Sequence, residues 1–277
     1  MAKKLVISAS RKEDIITNLN SYNNLQMALR EGIYTQSSKY SGTMSKFLNL
    51  NEIGAVVLWS KNYANFLKNP GVLDNFNLYF QFTITGYSSK IEKGVPNSEI
   101  TINQMRELAE KYGSSKINWR FDPIAFFVKE DRKEEGFKER LETFEKLCIK
   151  ISSFGVSRCT ISFLDLYNAV SSRLDRLGIE YYTPNEDEKI EFLKKLKDIA
   201  AKYNIELFAC SNPEMSAASI NKSSCIDGAV LSKLFNIKFD SNKDSGQRVN
   251  CGCTKSTDIG NYTPCPNQCA YCYSSSV

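Results

Sequence analysis

Leu78-Tyr-Phe-Gln-Phe-Thr-Ile-Thr85 and Ile117-Asn-Trp-Arg-Phe-Asp122 decide the fold. In the first stretch Leu78, Phe80, Phe82 and Ile84 alternate with Tyr79, Gln81, Thr83 and Thr85; in the second, Ile117, Trp119 and Phe121 alternate with Asn118, Arg120 and Asp122. Successive side chains of a strand point to opposite faces, so each stretch has one apolar and one polar side. A sheet covered by helices on both faces reads as nearly continuous apolar runs, whereas a barrel with helices outside and a ligand cavity inside gives this alternation. The pattern predicts an α/β protein built as a (β/α) barrel, complete or partial and TIM-barrel-like. An α/β sheet with one solvent-facing side is the alternative.

Working outward, further strands are expected at 5–10, 55–60, 159–164 and 205–210, with a weaker one near 32–36. Helical patterns fill most of the gaps, an alternation typical of parallel strands joined by crossover helices. Phe137, Leu141, Phe144, Cys148 and Ile151 line one helix face, which makes Cys148 a core residue. Cys159 shares the apolar face of Ile161 and Phe163 and is likewise expected to pack. A helix over 102–112 stops at Gly113. Another starts at Thr183-Pro-Asn-Glu186, with Thr183 as cap and Glu186 closing a capping box. The mixed charges of 129–140 predict a solvated loop and helix start.

The chain of 277 residues has 36 Lys and Arg against 31 Asp and Glu, nine cysteines and no histidine. Without imidazole, Ser-His-Asp hydrolysis, Cys-His proteolysis and every histidine-ligated metal site are excluded, and cysteine remains as the soft metal ligand. No stretch reaches the roughly 18 apolar residues of a membrane span, and no leader is evident, so the expected location is cytoplasmic, with reduced thiols and no membrane partner. The net charge of +5 is small and spread along the chain, which permits nucleic-acid binding without arguing for it. Gly-x-Gly-x-x-Gly and Walker patterns do not occur, so nucleoside-triphosphate chemistry is not expected.

Seven cysteines, at 210, 225, 251, 253, 265, 269 and 272, fall in the last 68 residues. The expected organisation is a β/α body over 1–210 and a loop-rich, iron–sulfur-binding segment over 211–277 packed on the barrel mouth. Cys265-Pro-Asn-Gln-Cys269-Ala-Tyr-Cys272 lets one short loop wrap three cysteines around an inorganic core. A [4Fe–4S] cube held by three cysteines keeps one iron open. Cys210, Cys225, Cys251 and Cys253 make a complete four-thiolate set for a second, closed [4Fe–4S] cluster, with a tetrahedral zinc site as the alternative.

The C-x3-C-x-aromatic-C spacing, with Tyr271 at the aromatic position, resembles the signature of the radical S-adenosylmethionine (SAM) enzymes. Cys-Ala-Tyr-Cys-Tyr is particularly similar to the spore photoproduct lyase branch. The resemblance implies that Cys265, Cys269 and Cys272 ligate the cluster and that SAM chelates the open iron. It further implies that Tyr271 packs near the adenosyl group and that reductive cleavage of SAM starts hydrogen abstraction from substrate. Superfamily members ordinarily carry this loop after the first barrel strand, whereas here it lies in the last 13 residues. Ser8-Ala-Ser-Arg11, Trp59-Ser-Lys-Asn62, Trp119-Arg-Phe-Asp-Pro123, Gly246-Gln-Arg248 and Cys251-Gly-Cys253, with the stretches around 79–86 and 161–167, also resemble an uncharacterised bacterial domain-of-unknown-function family across almost the whole chain. That family is known mainly for a C-terminal cysteine cluster of this kind.

Barrel enzymes place their chemistry at the C-terminal ends of the strands. By pattern Arg120, Asp122, Asp165, Arg11 and Lys61 fall there as candidate catalytic residues. Thr83, Thr85 and Ser162, together with Tyr271, are candidate cofactor contacts. Arg120 and Asp122 share a strand face, so they form either a clamp for a carboxylate or phosphate or an internal ion pair. The expected activity is that of a radical SAM enzyme acting on an unidentified substrate, with a reductant such as flavodoxin or ferredoxin as partner. The alternatives are a zinc-stabilised barrel that binds a small anion and an enzyme that repairs or modifies nucleic acid.

Overall fold

In the computed structural model residues 3–38, 42–209, 217–247, 251–261 and 263–273 are described. In chain order the elements begin with β1 Leu5–Ala9, α1 Leu19–Glu31, β2 Ile33–Ser38, β3 Gly42–Phe47, β4 Ile53–Ser60, α2 Ala64–Lys68 and β5 Leu78–Thr83. They continue with α3 Ser98–Tyr112, β6 Ile117–Ile124, α4 Lys133–Ser152, β7 Arg158–Phe163, α5 Asn168–Arg176, α6 Glu186–Lys202 and β8 Glu206–Ala209. Three short elements complete the order: β9 Asn221–Lys222, α7 Gly228–Phe235 and β10 Thr257–Asp258.

The chain divides into two compact units. One gathers Met1–Phe82 and Ser224–Asn267, the other Thr83–Ser223 and Gln268–Tyr273. In the first unit the parallel strands follow the order β10-β1-β4-β5, with Ile7 opposite Val56 and Thr257, and Leu58 opposite Phe80. The β2–β3 hairpin is antiparallel and stands apart from this sheet. In the second unit the order β6-β7-β8-β9 is again parallel throughout. The protein is therefore α/β with parallel strands and crossover helices.

The polar sides of the strands do not face solvent. Ser8, Gln81, Asn118 and Thr160 are each at most 1% exposed, as buried as the apolar residues beside them. Three of the four are paired: Gln81 donates to the Cys225 carbonyl (2.5 Å) within the first unit, and Asn118 bonds Thr160 (3.0 Å) within the second. Burying a side-chain amide without a partner costs about 1–3 kcal/mol, so these pairs fix strand register as well as filling space.

The helices follow their sequence signals with three differences. α3 starts four residues earlier than the apolar pattern indicates, because the Asn97 side chain accepts from the Ile100 amide (3.0 Å) and caps it. α6 is capped by Asn185 rather than Thr183, and the box closes through Glu188 rather than Glu186. The 129–140 stretch is not wholly solvated, since Arg140 on α4 is 4% exposed. Cys148 and Cys159 are fully buried, as their apolar settings require, and burial pushes both thiols up in pKa. No helix among the described residues is long and apolar enough to cross a membrane.

Candidate functional site

In the first unit three of the expected metal ligands come together. Cys225 lies just before α7, while Cys251 and Cys253 lie in the loop leading to β10. All three join the apolar cluster in which Ile226, Leu231 and Phe239 cover Val6, Ala55, Val57 and Tyr79. The local chain dictates this meeting: Thr254 donates its amide to the Ile226 carbonyl (2.9 Å), and its hydroxyl accepts from the Gly228 amide (3.0 Å). The Ile226 amide points at the Cys253 sulfur (3.4 Å). The hydrogen bond with Cys225 lowers the Cys253 thiol pKa, but the bond with Cys251 and burial outweigh it, leaving the thiol above its ordinary value. Cys210 lies outside the described residues. Among those described, no group of three or more Cys, Asp or Glu side chains has the arrangement of metal ligands.

The segment that carries Cys265 is held, also within the first unit, by three carboxylates. Asp258 accepts from the Arg11 amide (3.0 Å) and the Ser10 hydroxyl (3.2 Å). Glu13 accepts from the Asn261 amide (2.8 Å) and from the hydroxyls of Thr263 and Ser21. Asp14 accepts from Asn267 Nδ2 (2.7 Å), the Lys61 amide (2.9 Å), the Thr17 amide (3.1 Å) and the Ser60 hydroxyl (2.8 Å). Loss of solvent raises the Asp14 pKa, and these donors oppose the rise without cancelling it. A β-carbon at Gly260 would lie 2.3 Å from the Ser10 hydroxyl, so the approach of the segment to β1 requires glycine there. Arg11 and Lys61 thus enter through their backbone amides, as anchors for carboxylates.

In the second unit Cys269, Tyr271 and Cys272 sit on a prepared seat. Ala270 donates its amide to the Ile91 carbonyl (2.8 Å), Cys269 bridges to Glu92 in antiparallel fashion, and the Cys272 amide turns back to the Cys269 carbonyl (3.1 Å). Arg173 of α5, itself buried, donates to the carbonyls of Ala270 (3.3 Å) and Cys272 (2.5 Å). The Tyr271 ring lies against Tyr87 (5.8 Å between centroids) and Phe127 (6.3 Å), and its hydroxyl donates to Glu92. Glu92 is 4% exposed and also accepts from Thr85 (2.7 Å). Burial first, and then the Glu92 carboxylate, hold the Tyr271 phenol well above its ordinary pKa, so it serves as a neutral donor.

Of the other expected residues, Arg120, Asp122 and Ser162 meet in the second unit: the Asp122 carboxylate accepts from the Arg120 guanidinium on one oxygen and from the Ser162 hydroxyl on the other. With both oxygens engaged, the arrangement is an internal ion pair stiffened by a hydroxyl. Thr83 is half-buried at the end of β5, and Asp165 is exposed in the loop between β7 and α5.

Glu13, Asp14, Asp258, Glu92 and Arg173 were not singled out by sequence reasoning. Glu13 and Asp14 had a usable signal, as paired carboxylates just beyond the first strand. Glu92, between Ile91 and Lys93, and Arg173, in a polar helix, had none, because what distinguishes them is a partner 179 or 99 positions away.

No curated protein matches the chain. A solved structure of L-ribulose 3-epimerase aligns with 86% of this chain and 68% of its own, at 8% identity and a TM-score of 0.35, a likeness too slight to bear on fold or activity. Residues 6–274, including every candidate described above, match one family along their whole length, and the chain belongs to that family, the domain of unknown function DUF1848.

Proposed function

We propose that this protein is a radical SAM enzyme whose Cys265, Cys269 and Cys272 hold a [4Fe–4S] cluster. The observation that carries the reading is the Cys265-x3-Cys269-x-Tyr271-Cys272 spacing, and the seat of Tyr271 supports it. When bound, the cluster and SAM together supply reductive cleavage of the sulfonium and an adenosyl radical able to abstract hydrogen. The chain's own residues perform the positioning. Arg173 holds the Ala270 and Cys272 carbonyls, Glu92 fixes the Tyr271 hydroxyl, and Glu13, Asp14 and Asp258 fix the segment on which Cys265 lies. Tyr271, backed by Tyr87 and Phe127, offers an aromatic wall to an adenosyl group.

The second set proposed is Cys225, Cys251 and Cys253, with Cys210 as the fourth thiolate that the sequence offers. A group of soft sulfur donors in an apolar cluster suits an iron–sulfur cluster or zinc and suits a hard oxygen-seeking cation poorly. The same reading takes the β/α units as a (β/α) barrel, complete or partial, with chemistry at the C-terminal ends of its strands and a flavodoxin or ferredoxin as reductant.

The test is anaerobic reconstitution with iron and sulfide, followed by dithionite and SAM. Release of 5′-deoxyadenosine, together with a change in the EPR spectrum of the reduced protein on adding SAM, is expected. A fully loaded, reduced protein that neither binds nor cleaves SAM overturns the proposal. Zinc without iron or sulfide in protein purified without oxygen favours a zinc-stabilised binding protein instead.

A further inference from the structure

Arg140 of α4 is an unusual cation. It is 4% exposed, yet among the described residues no carboxylate pairs with it. Its guanidinium lies between the rings of Tyr87 (4.0 Å) and Phe121 (4.5 Å), and one terminal nitrogen donates to the Thr85 carbonyl (2.6 Å). The Nε–H is buried and, among the described residues, has no hydrogen-bond partner. Ring faces and a single carbonyl compensate a buried guanidinium only in part, and a buried charge is ordinarily paired.

Arg140 also lines a cavity of about 220 Å³ that lies wholly within the second unit. Its lining sets the apolar Ile91, Phe126, Phe127, Val128 and Ile179 beside polar groups, Ser88 and several charged side chains among them. Charged residues at the cavity are exposed: Lys90 and Glu139, and Glu180, whose carboxylate is paired to Lys129 (3.3 Å). The buried charge at the cavity is therefore positive, and Phe126, Phe127 and Ile179 give the lining an apolar part.

We infer that this cavity is a binding site for a small carboxylate on an apolar or aromatic scaffold, with the Arg140 guanidinium taking the carboxylate and the Phe127 side of the cavity taking the body. A charge-assisted bond to the guanidinium would supply the anionic partner that two ring faces and one carbonyl replace only in part. The volume suits a small metabolite rather than a nucleotide or peptide. The inference deepens the proposed function, because Tyr87, Ile91 and Phe127 line the cavity and also seat the Ala270–Tyr271 turn. A ligand here would lie beside the residue proposed to face the adenosyl group.

The experiment needs neither cluster nor SAM, so its failure is distinct from failure of the radical SAM reading. Phenylacetate is titrated into the full-length protein by calorimetry and by saturation-transfer NMR, with phenylacetamide and inorganic phosphate as comparison probes. Saturable binding of phenylacetate, at least about tenfold tighter than that of the uncharged amide, is expected. Arg140→Gln is expected to abolish that preference. Two exposed substitutions keep the test independent of whether Arg140→Gln folds: Lys90→Glu should weaken phenylacetate binding and Glu139→Gln should strengthen it. Equal binding of acid and amide, tighter binding of phosphate than of phenylacetate, or indifference to all three substitutions overturns the inference.

Discussion

Tyr271 shows how one hydroxyl can govern a loop. Its bond to Glu92 is buried, and Glu92 has Thr85 as a second hydroxyl donor, so removing the tyrosine hydroxyl leaves a carboxylate under-satisfied away from water. Tyr271→Phe is expected to destabilise the protein by about 1–3 kcal/mol, read from urea unfolding, although the ring and its contacts are retained. No change in midpoint would show that the bond contributes nothing. Arg173 acts on the same loop through its carbonyls. Arg173→Met should loosen the Cys269–Cys272 turn, and alkylation mapped by mass spectrometry should then show Cys269, buried in the native protein, reacting faster. An unchanged rate at Cys269 would assign Arg173 a packing role only. Neither Glu92 nor Arg173 is legible in the sequence: a loop glutamate and a helical arginine are ordinary until the fold brings their partners to them. The cysteines can be proposed from the sequence because their spacing alone suggests a chemistry for them.

Among the elements, α6 shows both what local reading achieves and where it slips. Thr183-Pro-Asn-Glu186 contains two residues able to cap a helix, and the rule that favours a cap before proline selects the first. The chain uses Asn185, because Glu188 at the third helical position can then reach back to the Asn185 amide (2.9 Å) while also bonding Lys133 of α4 (2.7 Å) and Tyr182 (2.5 Å). Tertiary partners decide between two locally adequate caps. Asn185→Ala should cost about 1 kcal/mol by thermal or urea unfolding. The bonds from Lys133 and Tyr182 hold the Glu188 carboxyl down at about 2, against an ordinary 4.5. A depressed carboxyl contributes stability that is complete above its unfolded pKa and is lost as pH falls toward the folded one. Melting temperatures of the native protein should therefore fall between pH 4.5 and about 2 more steeply than those of Glu188→Gln. Parallel curves would remove Glu188 from the account. The strands were easier to locate than the caps, since the alternation over Leu78–Thr83 and in Ile117-Asn-Trp-Arg-Phe-Asp122 is carried by every residue of the run and not by one residue's choice of partner.

At the scale of the whole molecule, the first unit is assembled from two distant parts of the sequence, so that residues 224–267 are a structural part of it. Ile226, Leu231 and Phe239 are at most 3% exposed and lie over Val6, Ala55, Val57 and Tyr79. β10 pairs with β1, and a β-carbon at Gly54 would lie 2.5 Å from the Phe239 ring, so sheet and cover are fitted to each other. Burying those three covering side chains is worth about 5–9 kcal/mol, comparable with the entire stability of a typical domain. A chain ended after Ser223 should consequently lose the first unit's packing even though all of β1, β4 and β5 remain. The expected signs are a collapsed near-ultraviolet dichroism signal, dye binding to exposed apolar surface and loss of a cooperative melt for that unit. In the full chain, Phe239→Ala should reproduce part of the effect, at about 3–5 kcal/mol, whereas the double substitution Cys251→Ser, Cys253→Ser separates packing from metal binding. If the segment served only to carry a metal, the cysteine variant would match the truncation and Phe239→Ala would be mild; a cover that packs in its own right predicts the reverse order in metal-free protein.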